Sequence, residues 1–395
     1  MAFEVLMKRL SEIQSELRTA KLDGWLLYDL HARNTVSNKL TGLGDLTRRY
    51  FIMIPAQGDP FAISHKIEDV NWEGWPWQRE KYAGWKELDG ALRKALGGAQ
   101  RVAMEISNND AVPALDLVPL GVVEMIRNLG LEVATSGDLV SRFYAAWSQE
   151  DLASHRRSSV VLMQAAHAAF TRLAREIAAD NAVHEGEVAA WIVADLTVRG
   201  CGTGAENIVA NGINAANPHY APQGLGARFK RGDVVLIDLW AKENDATVYS
   251  DQTSMGYLGP RVPDRIAQIF SVVTGSRDAA VDFLKQSYAA GRPVAGGEVD
   301  DVTRKYITDR NYGHAFVHRT GHSIDQSVHG MGPNIDNLET NETRRLITGV
   351  AFSIEPGIYL AGDVGMRSEI NIYMSETGPE VTTPEPQQEM LALLP

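Results

Sequence analysis

Two aspartates follow short segments that we predict to be neighbouring strands. Val234–Ile237 is a continuous apolar run typical of a buried strand, and Asp238 comes directly after it. A second strand is predicted over Thr247–Ser250, and Asp251 follows that one. A tight hairpin with Asn244–Asp245 at its tip sets Asp238 directly opposite Asp251.

This arrangement predicts a bound cation. Two buried carboxylates that face each other across a strand pair repel, and a divalent cation between them supplies the missing positive charge. The alternative interpretation is that one aspartate only caps a turn and that the register differs by one residue, because register is hard to determine from sequence.

Further residues of metal-binding type occur downstream. Glu355 ends an apolar strand just before a Pro-Gly turn. Glu369 alternates with Arg367 and Asn371 on one face of a strand predicted over Met366–Ile372. Two aspartates, two glutamates and one histidine suit a pair of hydrolytic metal ions. Four of the ten histidines are clustered among glycines, which suits ligation or proton transfer better than packing; they are His314, His318, His322 and His329.

Helices are predicted on both sides of these strands. Ser148–Asp151 has the form of a capping box, and apolar residues then recur at helical spacing over Leu152–Ile177. Two further helices are predicted over Glu187–Arg199 and Asp264–Ala290. The capping box also predicts a domain boundary, which gives an N-terminal domain over residues 1–147 and a C-terminal domain over residues 148–395.

The N-terminal segment has the pattern of a small α/β domain. A helix over Phe3–Lys21 leads to strands over Gly24–Tyr28 and Arg49–Pro55. The predicted class of the whole chain is α/β (α+β). Four tryptophans crowd one stretch of this domain, either in packing or in a surface that faces a ligand or partner; they are Trp72, Trp75, Trp77 and Trp85.

Composition narrows the class of protein. The 395 residues are 44% hydrophobic and 22% charged, ordinary values that argue against disorder. A net charge of −12 argues against binding to nucleic acid, and there is neither a long apolar run nor a signal-peptide pattern. Cys201 is the single cysteine, so an intrachain disulfide is excluded. We expect a cytoplasmic protein without membrane contact. P-loop, H-E-x-x-H and G-x-S-x-G patterns are also missing.

Five segments resemble, in order, the metal-ligand segments of the pita-bread metallopeptidases, and the most similar branch is that of the Xaa-Pro dipeptidases (prolidases) and Xaa-Pro aminopeptidases. The resemblance covers residues 148–395, and the first 147 residues are similar to the creatinase-type N-terminal domain of that branch. It implies a pseudo-two-fold antiparallel sheet covered by helices in the catalytic domain. The segments are Leu236–Asp238, Ser250–Thr253, Thr320–Ile324, Ile354–Gly357 and Arg367–Glu369.

The resemblance implies a role for each of these residues. Two divalent metal ions, Mn²⁺, Zn²⁺ or Co²⁺, are implied, with Asp251 and Glu369 shared between them. Glu355 and His329 are the implied catalytic residues. The implied metal ligands are Asp238, Asp251, His322, Glu355 and Glu369, and the implied substrate contacts are His219, His318, His329 and Arg367.

The implied activity is hydrolysis of the peptide bond before proline in Xaa-Pro dipeptides. Two alternatives remain open: an Xaa-Pro aminopeptidase that acts on longer peptides, and a non-catalytic binding protein with the same fold. Asn341 stands where many prolidases have an arginine that holds the free carboxylate of a dipeptide, and Arg344 or Arg345 is a candidate to replace it. The resemblance also implies a homodimer in which the tryptophan-rich stretch reaches the neighbouring site.

Overall fold

The chain contains both helices and strands in each half, as predicted for the α/β (α+β) class. The computed structural model describes residues 2–44, 46–203, 207–222 and 224–395. It divides into two units, Met1–Tyr144 and Ala145–Pro395, close to the boundary that we place after residue 147. In the described part of the chain, none of the helices combines the length and the apolar character that crossing a bilayer requires.

The first unit is built on a six-stranded mixed sheet with strand order β4-β3-β2-β1-β5-β6. Its apolar core includes Leu26, Phe51 and Val102, one from each of three adjacent strands. The elements are α1 Glu4–Thr19, β1 Gly24–Asp29, α2 Thr35–Thr41, β2 Tyr50–Pro55, β3 Phe61–His65, β4 Gln78–Tyr82, α3 Trp85–Ala95, β5 Arg101–Met104, α4 Leu120–Asn128, β6 Glu132–Thr135 and α5 Gly137–Val140.

The second unit contains three small sheets, with orders β15-β9-β8-β7, β10-β13-β14 and β11-β12. Two long helices each pack on strands, α6 on β8 and β9, and α8 on β12 and β14. The elements are α6 Gln149–Ala178, α7 Glu185–Val198, β7 Ile208–Asn211, β8 Val234–Ala241, β9 Ser250–Tyr257, α8 Asp264–Ala289, α9 Gly296–Thr308, β10 Ala351–Ile354, β11 Gly357–Leu360, β12 Val364–Arg367, β13 Ile370–Ser375, β14 Gly378–Val381 and β15 Leu391–Ala392.

Helix α6 begins where the sequence predicts. Ser148 is its N-cap: the Ser148 hydroxyl accepts a hydrogen bond from the Asp151 amide at 3.1 Å, and the Asp151 carboxylate accepts one from the Ser148 amide at 2.9 Å. Its buried face carries Leu162, Phe170 and Leu173 against the core of the β7–β9 sheet. The predicted capping box and the helix after it are therefore confirmed.

The pairing of β8 with β9 differs from the prediction. Asp238 lies opposite Thr253, and Asp251 lies opposite Trp240, so the predicted pairing of Asp238 with Asp251 is wrong by two residues. Because the error is an even number of residues, both carboxylates still project from the same face of the sheet. They are diagonal neighbours instead of direct partners.

The physical reason lies in the connection between these strands. Residues 242–249 form a loop, and β9 begins only at Ser250, so the predicted strand over residues 247–250 is wrong as well. The Tyr249 amide donates to the carbonyl of Asp325 at 2.9 Å, outside the β8–β9 pair. Lys242 forms an isolated bridge with Gly202. Contacts with segments distant in sequence therefore replace the tight hairpin.

The strand predicted over Met366–Ile372 is in fact two strands. Arg367 ends β12 opposite Gly357, whereas Ile370 begins β13 opposite Ile354, and Ser368 and Glu369 connect the two sheets. The chain changes sheets here because the two strands pair with partners on either side of the Pro356 turn. The break places Glu369 at the junction of the two sheets.

Candidate metal centre

All nine residues predicted to act in catalysis, metal binding or substrate binding line one cavity in the second unit. Its volume is about 370 Å³. Six further described residues complete its lining, four of them apolar or aromatic and two charged. The nine predicted residues are His219, Asp238, Asp251, His318, His322, His329, Glu355, Arg367 and Glu369, and the other six are Ile208, Pro218, Trp240, Arg319, Val328 and Glu339.

Three of these side chains converge on one point. Asp251, His322 and Glu369 each offer a ligand atom, and these atoms all lie within 4.8 Å of one another. All three residues are buried, with 3–4% of their surface exposed. Asp251 Oδ1 and Glu369 Oε1 have no hydrogen-bond partner among the described residues. Buried carboxylate oxygens left without donors are costly unless a cation is present.

Burial and like charge act together on these carboxylates. Burial, followed by the charges of Asp238 and Glu355, holds the pKa of Asp251 well above its ordinary value. Burial and the charge of Asp251 raise the pKa of Glu369 in the same way. A protein without a cation therefore disfavours the ionised form of both groups. A divalent cation reverses this preference because it favours the carboxylate form.

The ring of His322 is oriented for ligation. Its Nδ1 lies 3.1 Å from the carbonyl oxygen of Ser323, which can only accept, so Nδ1 carries the proton. Nε2 then presents its lone pair towards Asp251 Oδ2 at 3.6 Å and Glu355 Oε1 at 3.3 Å. Burial lowers the pKa of His322 to about 3, which keeps the ring neutral. A neutral imidazole fixed through its other nitrogen is the form that binds metals.

Glycine is required next to this histidine. A Cβ atom on Gly321 would lie 2.0 Å from the carbonyl oxygen of Ser353, so no side chain fits there without movement of the backbone. The Ser353 hydroxyl in turn accepts a hydrogen bond from the His322 amide at 3.0 Å and donates to Glu355 Oε1 at 3.1 Å. Close backbone approach thus places His322 and Glu355 beside each other.

The donor set fits divalent metal ions. Carboxylate oxygens and one imidazole nitrogen suit Mn²⁺, Zn²⁺ and Co²⁺, and the orphaned oxygens of Asp251 and Glu369 provide room for coordination. Asp238 and Glu355 lie at the edge of this cluster. Asp238 Oδ2 accepts from Arg367, and Glu355 Oε1 accepts from Ser353.

Arg367 joins Asp238 to a network of hydrogen bonds. Its Nε donates to Thr253 Oγ1 at 3.0 Å, and its Nη1 donates to the Tyr359 hydroxyl at 3.1 Å. The Tyr359 hydroxyl lies 2.8 Å from His318 Nε2. His318 Nδ1 donates to its neighbour's carbonyl oxygen at 2.6 Å, so Nε2 accepts from the tyrosine. Arg367 and His318, both predicted to contact substrate, are thus engaged with the protein as well as facing the cavity.

The two remaining predicted histidines lie nearer the opening. The His329 ring stands edge-on to His322, with 4.5 Å between centroids. Burial, followed by the charge of His322, lowers the pKa of His329 to about 4. His219 is exposed at the cavity rim. Its segment is tied to buried Glu185, whose carboxylate accepts from the Tyr220 hydroxyl at 2.6 Å and from the Ala227 amide at 2.7 Å.

Sequence reasoning missed several residues that shape this site. Thr253, Tyr359 and Glu185 belong to none of the predicted roles, although Thr253 Oγ1 lies 3.1 Å from Asp238 Oδ1 and 2.8 Å from Glu369 Oε2. For Thr253 a signal was present, since it alternates with Asp251 on one strand. Tyr359 and Glu185 become recognisable only through contacts distant in sequence. His314 is exposed and is not part of the cavity lining.

Known proteins resemble this chain in sequence. The model of metallopeptidase family M24 matches residues 157–376, more than half of the chain. The Xaa-Pro dipeptidase of Lactobacillus delbrueckii subsp. lactis is 37% identical over 167 residues, which is 42% of this chain and 41% of that protein. The aligned part thus spans less than half the length of that relative.

Solved structures agree in fold. The crystal structure of dipeptidase PepE from Mycobacterium ulcerans matches with a TM-score of 0.73 and 24% identity, covering 100% of both chains. The prolidase from Thermococcus sibiricus matches with a TM-score of 0.66 and 21% identity, covering 99% of each chain. The shared architecture is the pita-bread fold of the prolidases, with a separate N-terminal domain. The family match identifies the chain as a member of metallopeptidase family M24, and the fold agrees with it.

Proposed function

We propose that this protein is a dinuclear-metal hydrolase that cleaves the peptide bond before proline, with Xaa-Pro dipeptides as its substrates. The observation that carries the proposal is the convergence of Asp251, His322 and Glu369, with two carboxylate oxygens left without donors. Asp238 and Glu355 complete the proposed ligand set. The proposed residues all line one cavity, which gives a peptide access to the site.

The proposed chemistry divides between the metals and the side chains. Divalent metal ions, when bound, lower the pKa of water and polarise a carbonyl group. In this proposal Glu355 accepts the proton of the attacking water and passes it to the leaving nitrogen; its position beside the cluster, 3.3 Å from His322 Nε2, supports that role. His329, which is neutral at pH 7, donates an N–H to the oxygen that develops negative charge on the scissile carbonyl.

The cavity lining supports selection of proline. Ile208, Pro218, Trp240 and Val328 supply apolar surface close to the proposed metal ligands. Proline has a rigid ring and its peptide nitrogen carries no hydrogen, so a shaped apolar wall is sufficient to recognise it. In this proposal Arg367 contacts the proline subsite. Its hydrogen bonds to Tyr359 and Asp238 must then be compatible with a bound peptide.

Xaa-Pro aminopeptidase activity on longer peptides is the second candidate function. The observation that favours it is that Asn341 is exposed and outside the cavity lining. Asn341 carries no charge and lies outside the cavity lining, so it does not hold the carboxylate of a dipeptide. A longer peptide does not present its free carboxylate there.

Turnover of Ala-Pro and of Ala-Pro-Ala by metal-stripped protein reloaded with Mn²⁺ tests the proposal. We expect Ala-Pro to be the better substrate, with no turnover of Ala-Ala. Faster cleavage of Ala-Pro-Ala would identify an aminopeptidase. Absence of turnover with either peptide, together with no bound metal after supplementation with Mn²⁺, Co²⁺ or Zn²⁺, would favour a binding protein.

The remaining proposals concern stoichiometry, assembly and location. We propose two metal ions per chain, a homodimer and a cytoplasmic location. Elemental analysis of the reloaded protein measures the first, light scattering measures the second, and cell fractionation measures the third. A monomer with full activity would overturn the proposal that the tryptophan-rich stretch reaches a neighbouring site.

A further inference from the structure

Arg319 differs from the other arginine of the cavity. Both Arg319 and Arg367 line it. Arg367 is buried and bonded to Asp238, Thr253 and Tyr359. Arg319 is half-buried, and within the described residues its guanidinium has neither a hydrogen-bond nor an ion-pair partner. A cation without a partner in a cavity is available to an anionic ligand.

The backbone that carries this guanidinium is fixed on both sides. The Arg319 amide donates to Glu339 Oε1 at 2.9 Å, and its carbonyl accepts from His318 Nδ1 at 2.6 Å. The next residue, Thr320, is tied to Asp300 by its amide at 2.9 Å and by its hydroxyl at 2.6 Å. Because the backbone is already fixed, only the side chain of Arg319 has to be ordered when a ligand binds.

Helix α9 secures the preceding residues in the same way. Arg304 donates to the carbonyl of His318 at 2.8 Å and to that of Phe316 at 3.2 Å. Its own charge is paired with Asp300 at 2.9 Å. Arg304 therefore supports the segment without offering a charge to the cavity. Within this segment, Arg319 is the residue that offers its charge to the cavity.

The other arginines considered for the carboxylate are not available. Arg344 is buried, forms an ion pair with Glu342 at 2.6 Å, and donates to the carbonyls of Met331 and Gly332. Arg345 is exposed and, like Asn341, is not part of the cavity lining. A dipeptide therefore meets one uncommitted arginine among the described residues of the cavity.

Arg319 also lies within electrostatic reach of the centre. After burial, its charge contributes to the lowered pKa of His322, and after burial and His322 it contributes to that of His329. A carboxylate bound to Arg319 thus lies near the residues that we propose to act on the scissile bond.

We propose that the Arg319 guanidinium binds the free carboxylate of the Xaa-Pro dipeptide and thereby sets the preference for dipeptides over longer peptides. This inference rests on the proposed function. Arginine suits the task because its planar guanidinium pairs with a carboxylate through two parallel hydrogen bonds. Four carboxylates of the lining, Asp238, Asp251, Glu355 and Glu369, repel a substrate carboxylate from the centre when no metal is bound.

The test compares Ala-Pro with Ala-Pro-amide, which lacks the carboxylate. In Arg319→Gln, we expect kcat/KM for Ala-Pro to fall by about tenfold to a hundredfold, mainly through KM, as for loss of a hydrogen bond to a charged group. Turnover of Ala-Pro-amide should change by less than about threefold, because that substrate does not use the interaction. Arg319→Lys should recover part of the loss.

Arg345→Gln, the loss of an exposed arginine outside the cavity lining, is the matched control and should leave both substrates unchanged. Equal losses with both substrates in Arg319→Gln would overturn the inference, and so would no loss with either.

Calorimetric binding of L-proline and L-prolinamide separates this inference from the proposed function. We expect wild-type protein to bind L-proline more tightly, and Arg319→Gln to lose that difference while its metal content stays unchanged. A wild-type protein that cleaves neither dipeptide contradicts the proposed function, yet the calorimetry still decides the role of Arg319. Equal binding of the two ligands by the wild type would overturn the inference.

Discussion

Glu105 in the first unit and Glu369 in the second are both buried glutamates, but the groups around them differ. Glu105 accepts from Trp25 Nε1 at 2.6 Å, from Asn34 Nδ2 at 2.7 Å and from Ser136 Oγ at 3.0 Å. Both of its oxygens therefore have donors. Burial raises the pKa of Glu105, and these hydrogen bonds oppose that rise.

Glu369 and Asp251 lack this compensation. One oxygen of each has no partner among the described residues, and each carboxylate lies close to other carboxylates. Burial of a charge is therefore not by itself a sign of function. Missing donors combined with neighbouring like charges indicate that a cation belongs to the site.

The largest expected effect comes from the same substitution made at two glutamates, the half-buried Glu355 and the buried Glu105. Glu355→Gln should lower kcat by about 10²–10⁴, because it removes the proposed proton acceptor, while peptide binding persists. Glu105→Gln should leave kcat unchanged, since its hydrogen bonds hold elements of the first unit together. Steady-state kinetics and peptide calorimetry measure both. Near-normal turnover of Glu355→Gln would remove Glu355 from the proton-transfer role.

The buried histidine His155 tests whether a buried titratable group that has hydrogen-bond partners contributes to stability alone. His155 Nδ1 lies 2.8 Å from the carbonyl oxygen of Tyr249, and burial lowers the His155 pKa to about 4 from 6.5. The unfolded chain therefore binds the proton first as pH falls. The stability conferred by neutral His155 is complete above pH 6.5, and about 3 kcal/mol of it is lost as pH falls towards 4.

Urea unfolding of wild type and of His155→Gln at several pH values measures this loss. The difference between their free energies of unfolding should shrink by about 3 kcal/mol between pH 7 and pH 4. His167→Gln, which changes an exposed histidine on the same helix, is the control. A difference independent of pH would show that the native state accommodates a charged His155.

Stability should respond in opposite directions at the two kinds of carboxylate. Glu105→Gln replaces an acceptor by a donor that faces existing donors, so it should lower the free energy of unfolding by about 1–3 kcal/mol. The metal-free centre disfavours the ionised form of Asp251, so Asp251→Asn, which has no charge to bury, should raise the metal-free stability. Chemical denaturation in the presence of a chelator measures both changes. A fall in metal-free stability for Asp251→Asn would contradict the view that like charges strain this centre.

The smallest expected effect concerns a hydrogen-bonded polar group at the surface. Ser148→Ala removes the capping interaction with the Asp151 amide and should cost about 1 kcal/mol of unfolding free energy. Ser271→Ala, within helix α8, removes a hydroxyl that caps nothing and should change stability by less than about 0.5 kcal/mol. Thermal unfolding at fixed pH compares the two. Equal effects would mean that the capping box adds nothing beyond ordinary serine substitution.

Local patterns predicted much of the second unit. The start of α6 follows from Ser148 and Asp151, because a capping box involves residues three apart and needs no tertiary partner. The end of β10 before Glu355 follows from the Pro356 turn in the same way. The candidate site residues could be predicted for a related reason, because charged residues that interrupt apolar strands are visible in the sequence itself.

The register of β8 with β9 and the change of sheet after Arg367 could not be predicted from the sequence. The pairing of Asp238 with Thr253 depends on how the loop over residues 242–249 docks against Asp325, a contact between segments distant in sequence. The break after Arg367 depends on which strands lie beside β12 and β13. Strand pairing of this kind is decided by the competition among all possible partners, which a local pattern does not contain.

Local sequence patterns predicted the start of α6, the bounds of α7 and α8 to within two residues, and the carboxylates and histidines that interrupt apolar strands. Tertiary structure decided which of their atoms keep a partner. Asp251 and Glu369 lack donors on one oxygen, Arg344 is paired with Glu342, and Arg319 is left uncommitted. The physical reason is that periodicity and capping act over a few residues, whereas the satisfaction of a buried polar atom depends on every segment that packs around it.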